Sequence, residues 1–228
     1  MKKVFFTVLL AGIVAFSAQA QLQVGAKVGI NLANQSSDVE GYESQSALGL
    51  IFGVPVRLML SDNLAFQPEV SFMQKGSSSD YSFELPGVYS IESSGKGIIN
   101  YLEIPLMVQY LFGNGDIMPF VTAGPSIGLG LGYSSKGEST TTSIDFFTGE
   151  ETTVTEDYDD SGSMEDAGLS AIDFGVGFGA GAVMGMGNGA VIFQVGYLLG
   201  LANIYDEGDA KLNNRGINIT VGYLIGMN

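Results

Sequence analysis

The sequence contains no cysteine, no histidine and no tryptophan among its 228 residues. Without cysteine there are no disulfide bonds and no thiol chemistry. Without histidine, Ser-His-Asp triads and histidine-bound metal sites are excluded. Basic residues are also scarce, with nine lysines and arginines against 24 acidic residues. Because phosphate would be repelled by this charge, we do not expect nucleic acid to be a partner.

Long hydrophobic runs are missing after the first twenty residues, so we expect no transmembrane helix there. The N-terminus has a basic start at Lys2-Lys3, an apolar core, and Ala18-Gln19-Ala20, which is the small-x-small pattern of a cleavage site. We therefore predict a signal peptide over residues 1–20 and a mature domain over 21–228. Cleavage would remove two lysines and change the formal net charge from −15 to −17.

The rest of the chain alternates between apolar and mixed residues with a period of two. In "YLEIPLMVQY", Ile104 and Leu106 fall on one face of a strand, and Glu103 and Pro105 fall on the other. One face is therefore apolar along its whole length, while the other accommodates a carboxylate. Eight segments follow this pattern: "QVGAKVGINLA", "LGLIFGVPVRLML", "LAFQPEVSFMQK", "YLEIPLMVQY", "IMPFVTAGPSIGLGLGY", "SAIDFGVGFGAGAVM", "AVIFQVGYLLGLA" and "RGINITVGYLIG".

Short and long connections alternate between these segments. The short ones are 61–63, 113–116 and 185–189, and the long ones are about 34–46, 77–95, 134–167 and 204–214. The long connections hold 19 of the 24 carboxylates. This arrangement is typical of a transmembrane β-barrel. We predict an all-β, eight-stranded antiparallel up-and-down barrel in the outer membrane, with short periplasmic turns, long extracellular loops and both termini in the periplasm.

Five charged residues within the segments fall on the mixed face, which we expect to line the barrel interior. The predicted interior charge network consists of Lys27, Arg57, Glu69, Glu103 and Asp173. We expect Arg57, Glu69 and Glu103 to lie close enough to interact, because a paired network is the inexpensive way to bury such groups. The strand prolines each remove a ladder hydrogen-bond donor, so we expect bulges or strand ends at their positions.

Several motifs together resemble the PorT-like family of outer-membrane β-barrel domains, often labelled "porin family". They are "VGAKVGINLA" after the signal segment, then "FQPEVSFMQKG", "YLEIPLMVQY" and "PFVTAGPSIG", followed by glycine-rich strands. The resemblance covers essentially the whole mature chain. It implies an eight-stranded outer-membrane barrel, in a family whose founding member serves protein secretion.

Two groups of acidic residues are candidates for a catalytic or metal-binding site. Glu69 and Glu103 are candidates for an acid–base carboxylate pair, although the interior salt-bridge network is the interpretation that we favour. Asp157, Asp159 and Asp160 resemble part of a calcium loop, but the glutamate required at its twelfth position is replaced by Gly168. We interpret this segment as a solvated acidic loop and keep divalent-ion binding as the alternative. We predict no enzyme activity, no catalytic residues and no cofactor.

Three functions follow from these observations. The first is a structural or surface-interaction role through acidic extracellular loops, with outer-membrane lipid, lipopolysaccharide and a protein as the partners considered. The second is a narrow, porin-like small-solute channel, which is weaker because side chains fill the interior of an eight-stranded barrel. The third is a soluble exported β-barrel binding protein, which would need other protein to cover its apolar face.

Overall fold

The computed structural model describes residues 22–39, 44–145, 147–206 and 210–227. Within these ranges the chain is all-β, and no helix has the length and hydrophobicity needed to span a membrane. The predicted signal peptide over 1–20 lies outside the described residues. Nine strands are formed: β1 (Leu22–Ser37), β2 (Ala47–Met59), β3 (Leu64–Leu85), β4 (Tyr89–Leu111), β5 (Ile117–Ile144), β6 (Glu151–Gly162), β7 (Ile172–Met186), β8 (Gly189–Gly200) and β9 (Leu212–Met227).

Eight of the nine strands close into a ring. Each pairs antiparallel with its neighbours in the order β1-β2-β3-β4-β5-β7-β8-β9, and β9 returns to β1. The seam between β1 and β9 runs from Leu22 opposite Met227 to Ser37 opposite Leu212. Both ends of the described chain therefore lie at the end of the ring that carries the short turns. The predicted all-β barrel fold is confirmed.

The ninth strand corrects the sequence prediction for the third long loop. Residues 134–167 were expected to be loop, but β5 continues to Ile144, and β6 then pairs with that distal half of β5. The second long loop also pairs, because β3 and β4 continue to a tight turn at 86–88. We call residues 77–97, 133–145 and 147–162 the extension, a four-stranded sheet that continues past the ring.

The two faces of the ring strands separate by polarity as the period of two predicts. On β2, Leu50, Phe52 and Val54 are about half exposed, whereas Ile51 and Arg57 are buried inside. Adjacent strands present matching outward residues, such as Phe52 opposite Phe72. The outside of the ring is therefore an apolar belt around a partly polar interior, which is the inverse of a soluble barrel.

The one register shift marked in the β4–β5 ladder occurs between Asn100 and Tyr101, away from the strand prolines. The ladder loses pairs beside Pro105 yet keeps its register there, since Pro105 faces Ser126 and Val108 faces Ala123. The expected bulge at this proline is therefore absent. The shift lies between Gly130 and Gly132 on β5, and Gly132 adopts a φ of 154°. This register shift reverses the two faces of β5 at the start of the extension, so that the alternate set of residues faces inward beyond it.

Candidate functional site

The turn end of the barrel interior is filled by apolar side chains. Strand positions next to the short turns bring together a buried cluster from six strands. Because these positions are small or aliphatic apart from one phenylalanine, they pack across the narrow lumen without polar atoms. We call this cluster the lower plug; it consists of Ala65, Leu111, Phe120, Val183, Ala190, Ile192 and Leu224.

A buried ion pair lies in the middle of the barrel, between strands β1 and β3. The Lys27 ammonium nitrogen is 2.7 Å from the Glu69 Oε2 atom, and the Glu69 side chain is 2% exposed. Gly53 on the intervening strand makes room for it, since a Cβ there would lie 2.4 Å from Glu69 Oε1. The absence of a side chain at this position is thus what admits the carboxylate.

A second and larger charge group lies nearer the long-loop end. The Lys75 ammonium nitrogen is 2.8 Å from Glu103 Oε2 and 2.9 Å from Asp173 Oδ2. All three side chains are 2–3% exposed. Lys75 therefore links two carboxylates from strands β4 and β7 across the lumen. Gly128 leaves the space for this contact, because a Cβ there would be 2.7 Å from Glu103 Oε2.

Neutral polar groups complete the surroundings of Lys75. The Asn214 amide donates to Asp173 Oδ2 at 3.0 Å, and the Ser126 hydroxyl donates to Glu103 Oε1. The Lys75 ammonium nitrogen also lies 4.6 Å from the centroid of the Tyr101 ring, within reach of a cation–π interaction. The buried group therefore consists of one cation, two carboxylates and neutral hydrogen-bonding side chains. Because the group is buried, its charges depend on one another for compensation.

Arg57 does not take part in either charge group. Its side chain is buried, at 1% exposure, but its Nε and Nη2 atoms have no hydrogen-bond partner among the described residues. The ion pairs of Glu69 and Glu103 are made by lysines instead. Arg57 sits close to the lower plug, opposite Gln23, and therefore below both carboxylates along the barrel axis. The predicted contact of Arg57 with Glu69 and Glu103 is corrected accordingly.

Lys75 was missed in the sequence although the signal for it was present. In "EVSFMQK" it continues the mixed face of Glu69, Ser71 and Met73 by one further step of two. Lys75 is nevertheless absent from the predicted interior charge network. Lys75 is in fact an interior strand residue, since β3 runs on to Leu85.

The loop end of the interior is closed by a second apolar cluster. Ile99 and Tyr101 from β4 pack with Met164 and Ile204, which two loops fold inward. We call these four residues the upper plug. Met164 is held by a turn in which Asp166 Oδ2 accepts hydrogen bonds from the Ser163 backbone N–H and hydroxyl. These hydrogen bonds lower the pKa of Asp166 from its ordinary value of 3.8.

The space left between the two plugs is small. A cavity of about 50 Å³ lies beside the Lys27–Glu69 ion pair and reaches Ser126 and Met107. The Met107 side chain packs against the cavity wall at Gly177. A Cβ at position 177 would lie 3.3 Å from Met107 Cε. A cavity of this volume has room for only a few waters.

The extension has two chemically different faces. The face continuous with the barrel interior carries exposed apolar side chains, and Tyr158 covers the backbone of Gly95 and Gly137 there. The opposite face is charged. On this face the Lys136 ammonium nitrogen lies 2.8 Å from Asp159 Oδ2, and Glu138 lies directly opposite Asp157. On the face continuous with the barrel interior, the exposed apolar side chains include Tyr81, Phe83, Leu85, Val154 and Tyr158.

The three aspartates considered for divalent-ion binding are divided by the strand. Asp157 and Asp159 lie on the charged face of β6, whereas Asp160 lies on the other face and accepts a hydrogen bond from the Tyr133 hydroxyl. That hydrogen bond raises the pKa of Tyr133 above its ordinary value of 10.0. Among the described residues, no three acidic side chains converge as a metal site requires.

A closed antiparallel ring with an apolar belt outside and buried ion pairs inside defines a membrane β-barrel. The comparison with known families agrees: the model of the outer membrane protein beta-barrel domain family matches residues 17–206. The chain belongs to this family. It is an outer-membrane β-barrel protein.

The chain is also similar to several solved structures. Neisserial surface protein A is 14% identical, with 90% of this chain and 97% of that chain covered and a TM-score of 0.45. Outer membrane protein W of E. coli is 16% identical, with 90% and 97% covered and a TM-score of 0.40. Ail, the attachment invasion locus protein of Yersinia pestis, is 13% identical, with 90% and 99% covered and a TM-score of 0.34. No curated protein matches the sequence.

Proposed function

We propose that the protein is a closed outer-membrane anchor that holds an acidic β-sheet at the cell surface for contact with other molecules. One observation carries this proposal: both ends of the barrel interior are plugged by apolar side chains, while three ring strands continue past the ring and join β6 in the extension. A barrel built for passage would instead keep a continuous polar lumen.

The proposed orientation follows from the position of the two chain ends and the short turns. The start of β1 and the end of β9 lie at the short-turn end, which we assign to the periplasm. The extension then lies outside the cell. In this proposal the N-terminal signal peptide, residues 1–20, is removed and the mature chain begins at Gln21. We also retain the PorT-like affiliation, which rests on the "QPE" and "YLEIPL" motifs.

The proposed partners follow from the two exposed surfaces. The apolar belt contacts outer-membrane lipid, and the extension lies at the level of lipopolysaccharide and above it. We propose a binding role without catalysis or cofactor, in which the acidic residues of the extension select the partner by charge. Glu69 and Glu103 are each matched to a lysine, so they have a structural role in this proposal rather than an acid–base one.

A narrow small-solute channel is the second candidate. The polar cavity beside Lys27 and Glu69 favours it, because a charged middle section is common to selective pores. For solutes to pass, however, Met164 and Ile204 above and Phe120 below would have to move away from the axis. This is why the channel stands second.

Conductance measurements separate the two candidates. We expect purified protein in planar bilayers to give only rare, small current steps, because side chains fill the eight-stranded interior. A variant lacking residues 135–161 is the matched control, and it should behave the same, since β6 is not part of the ring. Large, steady, ohmic conductance from the unmodified protein would overturn the proposed function and put the channel first.

Membrane association gives an independent test of the anchor. Carbonate extraction of membranes should leave the protein in the pellet, and the folded barrel should migrate differently on a gel before and after heating. N-terminal sequencing of the extracted protein should begin at Gln21. Recovery in the soluble periplasmic fraction would overturn the anchor and favour the soluble alternative.

A further inference from the structure

Strand β6 has one unpaired edge. It pairs with β5 along twelve residues, from Glu151 opposite Ile144 to Gly162 opposite Tyr133, and ends the strand order of the sheet. Eleven of its twelve residues are exposed. Among the described residues no strand pairs with its outer edge. A free edge of this length is a template for the addition of another strand.

The charges on β6 decide which strand can be added. Glu156 and Asp160 project from one face, and Asp157 and Asp159 project from the other. Two copies of β6 placed edge to edge would bring carboxylates together on both faces, which is unfavourable for directly opposite like charges. Pairing with a second copy of this chain is therefore disfavoured, and a basic segment is favoured.

Several of these carboxylates lack a counter-charge. Asp159 has Lys136 as its partner, at 2.8 Å. Glu138 and Asp157 lie opposite each other, and neither forms an ion pair among the described residues. Glu156 forms none there either. An added strand would bring cations to the side of β6 that β5 leaves open.

We propose that the free edge of β6 receives an extended, basic segment of a partner protein as an additional strand. The backbone of the segment would complete the hydrogen bonds of the edge. Lysines or arginines two residues apart would face Asp157 and Asp159, and a small or apolar residue on the other face would lie beside Val154. This inference rests on the proposed function, because it names the partner of the extension.

The test uses the full mature chain, refolded in nanodiscs of zwitterionic lipid. The probe is a fluorescent, capped peptide of alternating lysine and threonine, about as long as β6. We expect saturable binding that weakens as ionic strength rises. A peptide of alternating glutamate and threonine should not bind. A lysine–threonine peptide N-methylated along its backbone should not bind either, because it cannot donate to the edge.

Two double variants with the same change of charge separate edge recognition from general attraction. Asp157→Asn with Asp159→Asn should weaken peptide binding about tenfold. Glu165→Gln with Asp206→Asn, on other loops, should change it less than about twofold. Equal losses in the two variants would overturn the proposal, as would undiminished binding of the N-methylated peptide. Binding of lipopolysaccharide with Mg²⁺ but not of the peptide would also overturn it, in favour of a lipid partner.

Failure of this inference and failure of the proposed function can be told apart. A closed barrel in bilayers with no peptide binding would overturn strand addition alone. Large conductance together with peptide binding at the β6 edge would overturn the closed-anchor function and leave the edge site standing.

Discussion

Two lysines form ion pairs of equal length in opposite surroundings. The Lys75–Glu103 and Lys136–Asp159 pairs both measure 2.8 Å, but the lysine side chains are 3% and 66% exposed. Burial should therefore decide what each pair contributes. Replacing Lys75 with methionine would leave Glu103 and Asp173 buried without a cation. We expect it to lower the free energy of unfolding by about 3–5 kcal/mol.

Lys136→Met is the matched control, and it should change the free energy of unfolding by at most about 1 kcal/mol. Urea unfolding in micelles, followed by circular dichroism because the chain has no tryptophan, measures both variants. Similar losses in the two would contradict the interior group as described.

Arg57 gives a prediction of the opposite sign. A buried guanidinium with no partner on Nε and Nη2 carries a desolvation cost that nothing in the described structure offsets. Arg57→Met should therefore leave the free energy of unfolding unchanged or raise it, by about 1–4 kcal/mol at most. The same urea titration checks this, with Lys75→Met as the contrasting variant. A loss as large as that of Lys75→Met would reveal a counter-charge for Arg57.

The period of two predicted which residues point into the barrel, and the positions of Lys27, Glu69, Glu103 and Asp173 follow it. It could not predict which of them meet. Contact across the lumen depends on the stagger between neighbouring strands, and this stagger places Arg57 near the lower plug and Lys75 beside Asp173. Stagger is set by the closing of the whole ring, so a single strand's sequence does not contain it.

At the scale of elements, the long acidic segments were the least predictable. Their serines, threonines and carboxylates are typical of loops, yet they continue the register of the ring strands outward. Threonine pairs across β5 and β6, Thr140 with Thr155 and Thr142 with Thr153, bring their hydroxyls to 3.0 and 3.1 Å. Such cross-strand pairs stabilise a sheet without an apolar pattern. The eight ring strands, by contrast, were predictable because lipid requires an unbroken apolar face.

The turn at 163–168 should control access to the upper plug. Asp166→Ala removes the acceptor for Ser163, so Met164 should leave the plug more often and oxidise faster in hydrogen peroxide than in the unmodified protein. Peptide mass spectrometry measures this rate. Because the folded pKa of Asp166 is lowered, the turn is stable above pH 3.8 and weakens as pH falls below it. Unmodified protein should therefore also oxidise faster at Met164 in acid. An oxidation rate independent of both changes would contradict this role.

At the scale of the whole molecule, the position of the membrane can be tested with one substitution at two heights. Val54 on the ring and Val88 at the tip of the extension are similarly exposed, at 52% and 46%. Val54→Arg places a charge in lipid and should cost about 2–4 kcal/mol of unfolding free energy. Val88→Arg should cost about 0–1 kcal/mol, because its surroundings are aqueous. Urea unfolding of the protein in lipid bilayers measures the cost of both substitutions. Equal costs would contradict the membrane position assigned to the ring.

The seam between β1 and β9 also determines the order of events in biogenesis. The first and last strands of the ring are joined along their whole lengths, so no shorter stretch of the chain contains a closed barrel. Until β9 has been exported, β1 and β8 each present an unsatisfied backbone edge and an apolar flank. Contacts this distant in sequence form slowly, and the open precursor is prone to aggregate. We therefore expect the precursor to need protection from aggregation until the ring closes, more than a chain whose parts fold separately would.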